Sequence, residues 1–218
     1  CTVTATKAAD ADYASATSAP VDITVGKAAL VVTPDAQSRV FGQAAPAYTF
    51  AVTGFRNSET AGTAAGYVAP VCTSAYTPAT PVADSPLTIT CSGGSATNYT
   101  FDTTATALLT ISNAAQAALV LTGTSSPAVY FDTQALGTTG GSGTGAVTYS
   151  AGASTACSVS GSTLTITAAS GTCSVTATKA ADADYAEATS APVDITVGPA
   201  TLVVTPDGQS RTFGQAAP

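Results

Sequence analysis

The side chains best suited to covalent chemistry in this sequence are its five cysteines. Cys72 and Cys91 lie 19 positions apart, and Cys157 and Cys173 lie 16 positions apart. A disulfide that closes a loop of this size stabilises a fold by about 3 kcal/mol in the chain-entropy treatment. Buried free thiols in a reducing compartment are the alternative. We expect the disulfides Cys72–Cys91 and Cys157–Cys173, and therefore an oxidising, extracellular setting.

A second candidate site is the acidic group Asp182, Asp184 and Glu187, because Ca²⁺ is bound by clustered oxygen ligands. The spacing of an EF-hand loop is absent, and Glu187 is replaced by Ser15 where this stretch recurs earlier in the chain. A solvated turn is the simpler interpretation. We keep Asp182 and Asp184 as a weak calcium candidate and expect no other metal site.

The sequence contains few of the residue types that enzymes use for catalysis. It contains no histidine, so it has neither a Ser-His-Asp triad nor a Cys-His pair, and it lacks imidazole ligands for zinc. Six lysines and arginines are the only cationic side chains. We expect no catalytic residues and no cofactor, and the residues that would bind a ligand are unknown.

The chain repeats itself with a period of 172 residues. Residues 1–46 recur as residues 173–218 with 40 identities in 46 positions, and Cys1 corresponds to Cys173. Such a period is too long for a solenoid and suits whole domains in tandem. We expect the chain to belong to a longer array, with Cys1 bonded to a cysteine 16 positions upstream, outside the sequence.

The charge composition of the chain limits the kinds of molecule that it can bind. Charged residues make up 9% of the chain, and the net charge is −7 with a pI of about 4.1. An acidic chain without a basic patch is a poor ligand for nucleic acid or an anionic membrane. No apolar run reaches the 18 or so residues of a membrane span.

The hydrophobic pattern predicts strands. Apolar and polar residues alternate in Val21–Val25, Leu87–Cys91, Leu164–Ile166 and Cys173–Ala177, and glycine-rich or proline-containing turns separate these runs. Alternation with β-branched residues is typical of half-buried strands. We therefore predict an all-β fold made of small domains in tandem. The one helical piece that we expect is a single turn capped by Asn57 or Ser58.

One motif identifies the first kind of domain. It comprises Arg39–Phe50 (RVFGQAAPAYTF), Ala51–Thr60 (AVTGFRNSET) and Gly93–Phe101 (GGSATNYTF). This pattern resembles the MBG repeats (YGX type) of bacterial surface proteins and adhesins, with Phe41 in place of the usual tyrosine before glycine. The resemblance implies a β-grasp-like domain at residues 27–113, in which the turn at Asn57 is the helical piece.

The second kind of domain contains Gly140–Ser150 (GGSGTGAVTYS), Cys157–Gly161 (CSVSG) and Gly171–Ala177 (GTCSVTA). It is similar to the bacterial Ig-like repeats that alternate with MBG domains, and the resemblance implies a β-sandwich. The expected organisation is the end of an Ig-like domain at 1–26, an MBG-type domain at 27–113, an Ig-like domain at 114–198 and the start of another MBG-type domain at 199–218. Tyr13 and Tyr185 should fold back onto the ends of their domains.

These expectations lead to two functional hypotheses. The first is a structural segment of a large bacterial surface protein, a stalk, fibre or sheath in which neighbouring copies of the repeat are the partners and associate laterally. The second is a module that binds a glycan or a host protein directly, which needs an aromatic cluster or concave pocket on one face. Both place the chain outside the cell or at its surface.

Overall fold

The computed structural model describes residues 1–216 and divides the chain into two compact units, Cys1–Ser112 and Asn113–Pro218. The last two residues of the domain start expected at 199–218, Ala217 and Pro218, lie outside the described residues. Among residues 1–216 there is no α-helix and one short 3₁₀ turn, Val82–Asp84. The all-β prediction is confirmed. No helix in this part of the chain is long and apolar enough to cross a membrane.

Eleven strands form the first unit. They are β1 (Thr2–Val3), β2 (Thr6–Lys7), β3 (Ala16–Thr17), β4 (Val21–Asp22), β5 (Ala28–Pro34), β6 (Gln37–Val40), β7 (Phe50–Thr53), β8 (Val71–Thr73), β9 (Leu87–Ser92), β10 (Tyr99–Asp102) and β11 (Thr106–Ser112).

Two mixed sheets lie within residues 28–112. One has the order β10-β5-β7 and the other the order β6-β11-β9-β8. In β5, Leu30, Val32 and Pro34 are buried while the residues between them are exposed, as an alternating strand requires. Ile89 and Leu109 are buried with Val32 in one core cluster, and Leu30 belongs to a second.

The second unit contains ten strands. They are β12 (Val120–Thr122), β13 (Ala128–Val129), β14 (Thr133–Ala135), β15 (Gly137–Thr139), β16 (Val147–Ser150), β17 (Cys157–Ser160), β18 (Thr163–Ile166), β19 (Gly171–Lys179), β20 (Ala188–Thr189) and β21 (Val193–Gly198).

The main sheet of this unit has the order β13-β21-β19-β16, with β20 also paired to β19. A second sheet has the order β14-β18-β17, and β12 pairs with β15. Leu164 and Ile166 from the smaller sheet and Val175 and Ile195 from the larger one are fully buried in a single core cluster. Packed sheets with alternating inward side chains produce such a core.

The two ends of the chain differ from these cores. Residues 1–26 form two ladders of two strands each, β1 with β4 and β2 with β3, and every one of these residues is exposed. Residues 199–216 contain no strand and are exposed as well. Tyr13 is exposed, so the expectation that its ring folds back onto a domain end is wrong.

The helical turn expected at Asn57 is also absent. Asn57 and Ser58 have φ angles of 54° and 60°, which belong to the left-handed region. Glu59 N donates a hydrogen bond to Arg56 O at 3.0 Å across this pair. The segment is therefore a tight reversal and not a capped helix. The sequence signal was misleading because asparagine favours both helix caps and left-handed turns.

Candidate functional site

A disulfide joins Cys157 in β17 to Cys173 in β19. These strands belong to different sheets, so the bond connects the two sheets through the core. Cys173 is fully buried in the same cluster as Ile166 and Ile195. The bond therefore anchors the centre of the second unit.

The second disulfide joins Cys72 to Cys91. These residues face each other on the antiparallel strands β8 and β9, and both are buried beside Tyr76 and Ile89. The bond closes a loop that leaves the sheet and returns to it. Cys1 is exposed and has no disulfide within the described residues.

Asp182 anchors a loop. Its Oδ2 accepts hydrogen bonds from Thr144 N at 2.5 Å and Thr144 Oγ1 at 3.2 Å, and its Oδ1 accepts from Asp184 N and Tyr185 N. These donors, above all Thr144 N and then Asp184 N, lower the pKa of Asp182 to about 2. Residues 1–216 contain no group of three or more His, Cys, Asp or Glu side chains placed to hold a metal ion. Asp182 thus uses its oxygens to fix the loop, and Glu187 is exposed.

A polar cavity of about 570 Å³ lies where the chain enters the domain that follows Gly26. We call it the entry cavity. Residues 25–28 form one side of it, and Arg56, Asn57, Glu59 and residues 97–99 form the other. Lys27 and Arg56, two of the six cationic residues of the chain, line the entry cavity.

Tyr99 builds one wall of the entry cavity. Its ring is buried, and its hydroxyl donates to Glu59 Oε2 at 2.5 Å and accepts from Arg56 N at 3.0 Å. The bond to the Glu59 carboxylate raises the pKa of Tyr99. These bonds hold the left-handed turn at Asn57 and Ser58 against the wall. The cavity is therefore a built feature of the domain.

An apolar groove of about 510 Å³ lies elsewhere on the first unit. We call it the aromatic groove. It is lined by Phe50, Val52, Phe55 and Tyr67, with Thr60, Ala61 and Ala69. The Phe55 and Tyr67 ring centroids are 6.0 Å apart, and Phe55 also contacts the Tyr99 ring edge-on at 5.6 Å. Such a surface can stack against apolar faces of a ligand.

A further feature escaped the sequence analysis. The aromatic turn, defined as Tyr130 and Phe131, follows β13, and its rings lie 4.1 Å apart. Phe131 has a φ of 71° and is 72% exposed. Asp132 N donates to Val129 O at 3.0 Å, which closes a turn with phenylalanine where glycine is usual. Val129–Asp132 contains no glycine or asparagine, so the sequence carries no signal for a left-handed residue.

In comparisons with known proteins, one family matches part of this chain. No curated protein matches the chain. Residues 30–110 match the family described as MBG domain (YGX type). This range runs from within β5 to within β11 and includes the RVFGQAAP motif, and residues 202–218 repeat its first 17 positions. The chain is therefore an MBG-containing repeat protein, with an MBG domain of the YGX type at residues 30–110.

Proposed function

We propose that this chain is a structural segment of a large extracellular bacterial surface protein, in which disulfide-pinned domains act as spacers of a stalk or as the material of a fibre or sheath. The observation that carries this proposal is that each disulfide closes inside one domain core, Cys72–Cys91 in the first unit and Cys157–Cys173 in the second. MBG domains are typical of surface proteins, and disulfides suit an extracellular location.

The proposal includes an organisation of the chain into alternating Ig-like and MBG-type domains. An Ig-like domain at 114–198 is supported by two sheets that share one core and by a disulfide between them. The near-identity of residues 1–26 with residues 173–198 supports the proposal that they are the end of another such domain. Residues 199–218 begin another MBG-type domain, since they repeat residues 27–46.

A disulfide inside a domain limits how far the domain extends under tension. The Cys157–Cys173 bond spans 16 positions, which at about 3.3–3.6 Å per extended residue withholds about 55 Å of chain. Cys72–Cys91 spans 19 positions and withholds about 65 Å by the same arithmetic. A stalk built from such domains resists both elongation and proteolysis.

Single-molecule pulling of the full chain tests this role. Unfolding of the second unit should release about 55 Å less chain in oxidising buffer than after reduction, and unfolding of the first about 65 Å less. The Cys1→Ser variant is the matched control and should extend like the wild type in both buffers. Equal extension of oxidised and reduced chains would contradict the spacer proposal.

Electron microscopy of the native cell surface separates the two structural forms. Thin stalks with a distinct tip would support a spacer that carries a binding domain elsewhere. A regular filament or sheath would support lateral association between neighbouring copies of the repeat. The absence of any extracellular assembly that contains this chain would contradict both forms.

A second candidate function is direct binding of a glycan or a protein, and the aromatic groove is the observation that favours it. An array of neutral and acidic oligosaccharides is the first probe. Binding that is lost in Tyr67→Ala and kept in Tyr13→Ala, an exposed tyrosine outside the groove, would favour this function. We infer no enzymatic role, because the sequence lacks histidine and the carboxylates of Asp182 and Glu59 are hydrogen-bonded to Thr144 and Tyr99.

A further inference from the structure

The aromatic turn lies at the point where the chain leaves the second domain. β13 runs parallel to β21, with Ala128 opposite Val197 and Val129 opposite Gly198. Tyr130 N donates to Gly198 O at 3.0 Å. The turn therefore lies beside the last residue of the domain.

The repeat shows what surrounds the equivalent position at the start of the MBG domain. Gly198 corresponds to Gly26, and Val197 corresponds to Val25. Val25 and Gly26 line the entry cavity, but Val25 is exposed whereas Val197 is buried in the core of the second unit, so only Gly198 is carried over as a wall residue. A domain of the 27–113 kind that follows Gly198 in the same way would present its own entry cavity at the aromatic turn.

We propose that the aromatic turn docks into the entry cavity of the MBG-type domain that follows it, so that Tyr130 and Phe131 clamp consecutive domains together. This inference rests on the proposed function, in which domains of the two kinds alternate along the array. The occupant is a named segment of the repeat, and its position is set by its pairing with β21, the last strand before the junction.

The chemistry of the cavity suits an aromatic side chain. A volume of about 570 Å³ accommodates both rings. Among the described residues Arg56 makes no ion pair, so its guanidinium can stack on an aromatic face. At the 198/199 junction Pro199 replaces Lys27, which exchanges an ammonium group for an apolar ring at the cavity wall.

The fold holds the backbone of Phe131, since Phe131 N donates to Ile166 O at 3.2 Å, but it leaves the ring exposed. A bulky residue with φ of 71° is disfavoured, and glycine would adopt this turn more easily. An exposed phenylalanine also leaves apolar surface in water. Both costs are offset if the ring is covered when the next domain is in place.

The test uses the full chain extended after Pro218 with residues 47–113, which completes the second MBG-type domain. In ¹⁵N relaxation measurements, residues 114–198 and the added domain should share one rotational correlation time. Phe131→Gly should abolish this coupling, and the equivalent of Arg56→Ala in the added domain should weaken it. In the original chain, Phe131→Gly should leave the melting temperature unchanged or raised, which shows that the substitution does not damage the fold.

Several outcomes would overturn the clamp. The clamp proposal is wrong if the added domain folds but tumbles independently of residues 114–198. It is also wrong if the two domains stay coupled in the Phe131→Gly variant. Neither result affects the spacer proposal. Coupling that appears only at high protein concentration assigns the aromatic turn to contacts between chains. If the added domain fails to fold and to oxidise its own cysteine pair, the alternating array and the clamp both fail.

Discussion

Residues 1–26 and residues 173–198 have nearly the same sequence and different structures. They differ at two of 26 positions, Thr2/Ser174 and Ser15/Glu187. Val175 and Ile195 are fully buried, whereas Val3 and Ile23 are 47% and 50% exposed. β21 runs over six residues, from Val193 to Gly198, while its counterpart β4 has only Val21–Asp22. The difference therefore comes from what surrounds each segment.

The covering residues belong to the segment 114–172. Leu119, Leu121, Leu164 and Ile166 pack with the strands of the second copy in one cluster. Residues 1–26 have no such partner within the described part of the chain and keep only short ladders. The same contrast recurs further along the repeat, where Leu30 is fully buried and Leu202 is 86% exposed. An alternating pattern thus creates an apolar face, and a second segment must bury it.

The largest expected effect in this comparison is on a buried isoleucine. Ile195→Ala should reduce the free energy of unfolding of the second unit by about 3–4 kcal/mol, through lost burial and a residual cavity. Ile23→Ala, the same change in the first copy, should have an effect below about 0.5 kcal/mol. Urea unfolding of each variant measures both values. Equal losses would show that residues 1–26 are buried in solution.

The next largest difference between the two copies is expected from the Cys157–Cys173 disulfide. Replacing both Cys157 and Cys173 by serine should lower the free energy of unfolding by about 3 kcal/mol, since the unfolded chain regains its loop entropy. Cys1→Ser should leave it unchanged, because the Cys1 thiol forms no disulfide within the described residues. Thermal melts in non-reducing buffer provide the measurement. A destabilised Cys1→Ser variant would indicate that the Cys1 thiol makes a stabilising contact.

A smaller effect is expected from the paired loops around Asp182 and Asp10. The folded-state pKa of Asp182 is lowered to about 2 from an ordinary value of 3.8. Its contribution to stability is therefore complete above about pH 4 and is lost as the pH falls toward 2. Asp182→Asn should flatten the acid dependence of unfolding of the second unit.

Asp10 is the control for this pH effect. Its pKa is also lowered, first by the backbone N–H of Asp12 and then by Lys7, but among residues 1–216 none takes the place of Thr144. Asp10→Asn should leave the acid melt of the second unit unchanged, and a carboxyl NMR titration should give Asp182 the lower midpoint. A lower midpoint at Asp10 would contradict the assigned role of Thr144.

The smallest effect is expected at a position where the copies differ. Glu187 is exposed and corresponds to Ser15, so Glu187→Ser should change the free energy of unfolding by less than about 0.5 kcal/mol. Differential scanning calorimetry of the two proteins checks this value. A shift above 1 kcal/mol would indicate that the Glu187 carboxylate has a specific partner.

Much of the fold follows from local pattern. The predicted run Leu87–Cys91 lies within β9, Leu164–Ile166 within β18 and Cys173–Ala177 within β19. Alternation works here because side chains on a strand point to opposite faces. The motif around Phe41 also located the MBG domain that the family comparison found at residues 30–110.

The candidate sites were less accessible to sequence reasoning. The entry cavity joins residues 25–28 to Arg56 and Tyr99, which are far apart in the chain. The aromatic groove combines Phe50 and Phe55 with Tyr67 within residues 50–69, through the conformation of the segment between β7 and β8. Phe131 at a left-handed position has no local signal at all. Sites of this kind depend on the packing of strands and loops that periodicity does not specify.

The sequence by itself determined the strand faces, the repeat and the position of the MBG domain, because these depend on side-chain alternation and on residues adjacent in the chain. Only the tertiary structure decided which of two identical faces is buried, since burial requires a covering segment such as 114–172. It also decided that Thr144 lowers the pKa of Asp182 and that Phe131 is displayed beside Gly198. These properties depend on contacts between distant residues, which a local pattern does not encode.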